Sequence, residues 1–420
     1  MAAFIFSVPS VARSQSSSPL AIPSESYSIN YHNAPPPDGY SFVMPARSLI
    51  GPGAIKGIGP VVEKLGLTKA LIVTDTFLAK SGATKAITDV LDKIGVPATV
   101  FDGAQPNPTD ENVAGGLAIM KENGCDFVIS FGGGSSHDCA KAVCVMATNV
   151  GHIRDYEGMG KFAEAPLPLI GINTTAGTAA EMTQFAVITD LGRKIKMVVA
   201  DPRMTPLVAV DDPMLMVGMP KGLTAATGMD ALTHAIEAYL SVISNPVTDA
   251  SALHAMKLIS GYLRTAVHEG TDVRARDMMS YAQFLAGMAF NSAALGYVHA
   301  LAHQLGSEYN LPHGVCNAVL LPSVLEYNAV AVPHRFIDVA EAMGIEHAGG
   351  ADEAAAAVIA GIRQLSADVG IPRNIKELGA KPEDFDTLAT NALKDFSCFT
   401  NPRQGSHADI VELFKKAYEQ

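Results

Sequence analysis

DFVISFGGGSSHDCAK, residues 126–141, passes from a short apolar run through three successive glycines into a segment with helical spacing. An apolar run of this length closed by glycine reads as a buried strand. Backbone without Cβ at a strand exit can approach a pyrophosphate, and the following helix start offers free N–H donors and the positive end of its dipole. The run is not a strict G-x-G-x-x-G, and glycine after a strand also makes an ordinary chain reversal, so Gly132, Gly133, Gly134 and Ser135 need their flanks to be interpreted.

Those flanks repeat the same grammar. ALIVTD (70–75), ATVFDG (98–103) and LPLIGIN (167–173) read as further buried strands, with helical segments at 54–65, 82–94, 109–123 and 138–149 between them. Thr109 or Asp110 is placed to cap the third of these helices. Strand alternating with helix predicts a parallel sheet covered on both faces. INTTAGTAAEMT (172–183) supplies a second strand exit, with Thr174, Thr175 and Thr178 around Gly177, and two such loops point to a dinucleotide crevice. Beyond about residue 214 strand patterns stop, and Leu253, Met256, Ile259 and Leu263 form an apolar stripe at helical spacing. The fold class expected is therefore α/β: a Rossmann-like parallel-sheet domain over 46–214 followed by an all-helical domain over 215–420, with an N-terminal extension over 1–45.

Composition narrows the partners. The chain has 420 residues, 48% hydrophobic and 17% charged, and no apolar run near the roughly 20 residues that span a bilayer. A formal charge of −12 without a basic stripe argues against nucleic acid and anionic membrane surfaces. Cys125, Cys139, Cys144, Cys316 and Cys398 contain no C-x-x-C pair, which fits a reducing compartment. The extension is Ser/Pro-rich, with Glu25 its first acidic residue and Arg13 its only Lys or Arg. It reads either as a disordered tail of a cytoplasmic protein or, less typically for so few arginines, as a mitochondrial transit peptide.

Histidine clustering carries the chemistry. In GMDALTHAIEAY (228–239), Asp230 and His234 stand four apart and share one helix face. GYVHALAHQLGSEYNLPHG (296–314) repeats that spacing with His299 and His303 and adds His313 after a turn. A carboxylate with several imidazoles suits a divalent borderline metal such as Fe²⁺ or Zn²⁺. Any single histidine has an ordinary alternative as a capped or surface residue; two helices each carrying an i, i+4 pair point to a ligand set.

GGGSSHDCAK, NTTAGTAAEMT, TAATGMDALTHAIEAY, GYVHALAHQLG, YNLPHGVCNAVLLP and TNPR occur in an order that resembles the iron-containing, or group III, alcohol dehydrogenases over residues 46–420. The likeness is greatest to the branch of yeast-type alcohol dehydrogenase IV and the lactaldehyde–propanediol reductases. The resemblance implies a dehydroquinate synthase-like architecture with a cleft between the two domains, and Asp230, His234, His299 and His313 as metal ligands. His303 would be a non-ligand histidine near the nicotinamide that relays the alcohol proton. Gly132, Gly133, Gly134 and Ser135 would hold the pyrophosphate of NAD, with Asp138, Thr174, Thr175, Thr178 and Lys196 near the cofactor. Asp75, at the end of ALIVTD, would face the adenosine ribose and reject NADP, although Asp after a strand also caps turns. Phe185, Tyr297 and Cys398 would contribute to the substrate pocket, and a homodimer is expected.

The implied activity is reversible hydride transfer between a small primary alcohol or aldehyde and NAD(H), with the metal stabilising alkoxide. Alternatives of the same architecture are a polyol dehydrogenase or an NAD-using cyclising lyase, which would need a basic cluster for a substrate phosphate. A structural metal protein would also use four protein ligands.

Overall fold

Residues 39–193 and 195–420 are described by the structure, a computed structural model; most of the expected extension lies outside them. Among the described residues the strands are β1 (Arg47–Ile50), β2 (Ala70–Val73), β3 (Ala98–Phe101), β4 (Phe127–Gly132), β5 (Gly158–Met159), β6 (Leu169–Asn173), β7 (Phe185–Asp190), β8 (Ile195–Ala200) and β9 (Val208–Asp211). Six of them form a parallel sheet in the order β1-β9-β6-β4-β2-β3. Its inner strands β2, β4, β6 and β9 are buried at every residue. Helices cover both faces, so these strands are continuous apolar runs without alternation. Successive side chains still part company: Leu71, Val73 and Val128 join one core, Ile72, Ile129 and Ile170 the other.

The course of the chain reverses between β2 and β4, because β3 lies outside β2 while β6 and β9 follow on the far side of β4. At such a reversal the connections leave in opposite directions and open a crevice at the carboxyl ends of the two strands. Asp75 follows one of these ends and Gly132 closes the other.

Several local readings are corrected. The helix expected over 82–94 runs from Lys85 to Asp92, and a short helix before it, Thr76–Ser81, was not anticipated; Gly82 at φ 80° ends that first helix and separates the two. The segment 54–65 opens with a 3₁₀ turn, Ala54–Gly57, before the helix Ile58–Leu65. β7 and β8 escaped the sequence reading; they pair antiparallel in a small second sheet with β5. β8 is exposed at Ile195 and mixes buried with half-buried positions, so it lacks the continuous apolar run of the main sheet.

From Lys221 onward the described elements are helical. The helix Lys221–Leu240 is buried at every residue from Thr224 to Leu240, which is why it shows no amphipathic stripe. Its core extends back into the loop after β6, taking in Ala176, Ala179 and Met182. No single described helix is long and apolar enough to cross a membrane; Val273–Ala293 and Tyr297–Tyr309 combine the needed length and apolarity only together, across a 102° bend.

Two carboxyls are buried where sheet and helices meet. Gln283 Nε2 donates to Glu181 Oε1 and to Asp211 Oδ1, both at 2.9 Å, and Asn173 Nδ2 donates to Asp211 Oδ1 at 3.0 Å. Burial pushes both acids up, Glu181 to about 7 against the pull of Gln283, Lys141 and Asp211, and Asp211 well above its ordinary range, with Glu181 raising it further. An acid whose folded pKa is raised stabilises the fold below its unfolded pKa, and that contribution is lost as pH rises through the folded value. Stability should therefore fall between about pH 4.5 and pH 7 by an amount on the order of a few kcal/mol. Glu181→Gln should flatten that slope, which thermal melts from pH 5 to pH 8 would measure; an unchanged slope would contradict the assignment.

Candidate active site

Three helices bring four ligand atoms to one point. Asp230 and His234 come from Lys221–Leu240, His299 from Tyr297–Tyr309, and His313 opens His313–Ala329. Asp230 Oδ1 lies 4.0 Å from His234 Nε2, 3.8 Å from His299 Nε2 and 3.6 Å from His313 Nε2. All four ligand atoms fall within 4.8 Å of one another. The convergence depends on Gly314. A Cβ at that position would stand 2.4 Å from the carbonyl oxygen of Ala226, so only glycine lets the two helix backbones touch there.

Burial lowers the pKa of His234 and lowers those of His299 and His313 well below the ordinary imidazole range, with neighbouring imidazoles adding to the effect at His299 and His313. The rings are therefore neutral, the form a metal requires. Glu237, three residues after His234, accepts from Val298 N at 2.7 Å and bonds His299 Nδ1 at 2.5 Å. That contact occupies Nδ1 and leaves Nε2 turned to the cluster, the usual arrangement behind a ligating imidazole. Burial pushes Glu237 up to about 8 against the pull of three backbone N–H groups. The amide nitrogen of Asn317 lies 2.6 Å from Asp230 Oδ1, 3.0 Å from His299 Nε2 and 3.1 Å from His313 Nε2. A hydrogen-bond donor drawn to three lone pairs at once marks the place as electron-rich. One carboxylate and three neutral imidazoles fit Fe²⁺ or Zn²⁺.

These histidines form one wall of a cleft that opens to solvent. Gly134, Ser135, Asp138, Thr178 and Lys196 line the same cleft, as does His303. Gly132, at φ 149°, makes the turn into the helix Gly134–Thr148. Thr175 and Thr178 pack where Cβ atoms on Gly133 and Gly134 would stand, and Thr174 N donates to Gly132 O, so Thr174 and Thr175 support the glycine turn from behind. Asp138 is half-buried and accepts from Val187 N at 3.1 Å; the desolvation of its carboxyl raises it to about 6. Lys196 Nζ donates to Asn107 Oδ1 at 2.8 Å, and Asn107 in turn donates to Asn310 Oδ1 at 3.0 Å. Asp75 Oδ1 accepts from Leu78 N at 2.8 Å, so it caps the helix Thr76–Ser81. Leu78 reaches within 3.5 Å of the Cβ position of Gly132, which sets this capped helix beside the glycine turn.

Two pocket residues are corrected. Phe185 lines the cleft, but Tyr297 is fully buried with its hydroxyl accepting from Gly405 N at 2.8 Å, and the Cys398 thiol donates to Ala392 O at 2.8 Å in the core. Residues 297 and 299 point about 200° apart around a helix, so a cleft-facing His299 turns Tyr297 away. Phe290, Leu295 and Phe396 take those places. Sequence reasoning also missed three polar groups. Glu237 stands one turn after His234 as a second carboxylate in a largely apolar helix, and Asn317 at i+4 from His313, both local signals. Asp395 gave none: its Oδ2 accepts from His303 Nδ1 at 2.8 Å across 92 residues.

Family models described as "Iron-containing alcohol dehydrogenase" and "Fe-containing alcohol dehydrogenase family, C-terminal" match residues 45–213 and 224–418. The chain is 47% identical over 382 residues to 1,3-propanediol dehydrogenase of Klebsiella pneumoniae, covering 90% of this chain and 99% of that protein. It is similar to the solved alcohol dehydrogenase from Oenococcus oeni, with a TM-score of 0.89, 48% identity, and coverage of 90% and 100% of the two chains. A sulfoacetaldehyde reductase from Bifidobacterium kashiwanohense, solved in complex with NAD⁺, superposes with a TM-score of 0.83 at 30% identity, covering 91% and 99%.

Replacing Asp230, His234, His299 or His313 singly by Ala should strip the metal, measured by elemental analysis, while circular dichroism stays that of the parent. Glu237→Gln should weaken metal binding by about 10–100-fold, the usual effect of losing a partner behind a ligand. Full metal content in His299→Ala would contradict the site.

Proposed function

The chain belongs to the iron-containing alcohol dehydrogenase family and catalyses NAD-dependent oxidoreduction of alcohols; on that footing we propose a specific division of labour among its residues. The observation that carries it is the convergence of four ligand atoms, three of them from histidines that share the walls of one cleft with the glycine turn. When bound, the divalent metal supplies Lewis acidity toward an alcohol oxygen and NAD supplies the hydride acceptor. The backbone of Gly132, Gly133, Gly134 and Ser135 binds pyrophosphate at the start of the helix Gly134–Thr148. Asp138, Thr178 and Lys196 border the same groove, with Thr174 and Thr175 holding the glycine turn in shape. Phe185, Phe290 and Leu295 exclude water and suit a short, uncharged primary alcohol or aldehyde.

His303 accepts the alcohol proton in this reading. Its Nδ1 is committed to Asp395, so Nε2 is the nitrogen left for exchange on a ring that lines the cleft. Burial raises the Asp395 carboxyl, but His303 and the hydrogen bonds from Ser397 outweigh it and hold Asp395 below its ordinary range. Asp395 is thus an ionised positioning residue that fixes the ring and its tautomer. A phosphate-binding lyase is disfavoured by the walls: Lys196 is the one Lys or Arg among the described residues lining the cleft. The opening of the cleft beside the four ligands argues against a closed structural site. We also propose a homodimer, supported by the outer edge of β1, which pairs with no strand among the described residues, and cytoplasmic residence, supported by five buried free cysteines; light scattering and cell fractionation test these.

Two kinetic experiments test the division of labour. Asp395→Asn should lower kcat by about 10–100-fold with KM for alcohol nearly unchanged, and Asp395→Glu should recover part of the loss; equal loss in both variants would reduce Asp395 to a packing role. Asp75→Ser removes the charge while keeping a good helix cap. It should raise kcat/KM with NADP by roughly 10–100-fold, or ~1.4–2.8 kcal/mol, at an unchanged melting temperature. A drop in stability without a change in cofactor preference would leave Asp75 as a cap alone.

A further inference from the structure

Asn317 lies one helical turn after His313 on the same helix and is completely buried. Its side chain is mismatched at both ends. Nδ2 carries two hydrogens but faces three acceptors, Asp230 Oδ1, His299 Nε2 and His313 Nε2. Oδ1 is buried without a hydrogen-bond partner. A buried acceptor left unmet is unfavourable, and native interiors rarely keep one without a reason.

The three lone pairs that Nδ2 addresses are the ones a cation at the centre would take. Donation from the amide and coordination to the metal therefore exclude one another at those atoms. With a cation present, the N–H edge would also face like charge. A half turn about the terminal amide torsion removes both conflicts, since that torsion is broad and nearly two-fold and exchanges groups of almost the same shape. It carries Oδ1 toward the centre and Nδ2 away from it.

We infer that Asn317 is a further oxygen donor of the metal centre, presenting Oδ1 to the cation and favouring iron over zinc. The inference rests on the four-ligand reading proposed above. Neither Asp230 nor Asn317 lines the cleft, whereas His234, His299 and His313 do, so an amide oxygen approaches from the protein side and leaves the cleft side for substrate. Protein zinc sites are almost always four-coordinate and tetrahedral, and in simple N/O sites zinc outcompetes ferrous iron, so selectivity has to come from geometry and donor number. An extra hard oxygen shifts both toward Fe²⁺.

Asn317→Leu keeps the side-chain size and removes both polar atoms. Anaerobic equilibrium dialysis with Fe²⁺ alone and with Zn²⁺ alone, read by elemental analysis, measures each affinity without recourse to activity. Fe²⁺ binding should weaken about 10–100-fold, the range for loss of a supporting group, with Zn²⁺ binding little changed. Tighter binding of both metals would make the amide a mere competitor and overturn the inference, as would equal loss of both or no change. Should the leucine variant fail to fold, Asn317→Asp decides: it presents oxygen in either orientation, so Fe²⁺ affinity should match or exceed that of the parent, and weaker binding overturns the inference. His299→Ala serves as the control for the underlying reading. Metal retained in that variant discards the ligand set itself, whereas metal lost there with an unaltered Asn317→Leu protein discards the role of Asn317 alone.

Discussion

The contact between Gly314 and the carbonyl of Ala226 sets the scale of the site. Packed helices normally keep axes about 8–10 Å apart because side chains intervene. Where no Cβ intervenes, the first residue of one helix can place its ring against a carboxylate one turn along its neighbour, and His313 Nε2 comes within 3.6 Å of Asp230 Oδ1. The helix Lys221–Leu240 is enclosed on every side over most of its length, so it has no freedom to shift and relax that approach. Preorganisation of this kind comes from the scaffold and precedes any metal. The same enclosure strips water from the imidazoles and keeps them uncharged.

How much of this was legible depended on the range of the interaction. The i, i+4 pairs Asp230/His234 and His299/His303 and the glycine run after an apolar strand are local patterns, and helix and strand periodicity turn local patterns directly into geometry. The parallel sheet followed because its inner strands are apolar throughout. β7 and β8 were not legible: β7 buries every second residue but carries apolar Phe185 and Val187 on its half-buried face and Asp190 on its buried one, and β8 has no continuous run of buried positions. Asp395 was out of reach for a different reason. Nothing in the sequence near it refers to a histidine 92 residues away, and only tertiary packing joins them. Family likeness does not carry the phase of a helix, which puts Tyr297 opposite the cleft-facing His299, nor the packing that sinks Cys398 into the helical core.

The cleft is quieter electrically than its list of ionisable groups suggests. Burial depresses Lys196, raises Asp138 to about 6, and holds the ligand imidazoles neutral. Each group is pushed toward its uncharged form, because a water-poor wall penalises charge of either sign. What remains is a surface of modest fixed charge lined by aromatic and aliphatic side chains, complementary to a small neutral molecule and without a second cation for a substrate phosphate.

The loop after β6 serves two structures at once. On one side Thr175 and Thr178 brace the glycine turn, and on the other Ala176, Ala179 and Met182 belong to the helical core. Sheet and helices are thus fused along the floor of the cleft, and a clamshell rotation that parted them would have to expose that core. Elsewhere they meet through Lys196, Asn107 and Asn310, linked by two side-chain hydrogen bonds. Local opening follows the path of fewest buried contacts. Any opening between sheet and helices would therefore meet less resistance at these two hydrogen bonds than at the core shared beneath the loop.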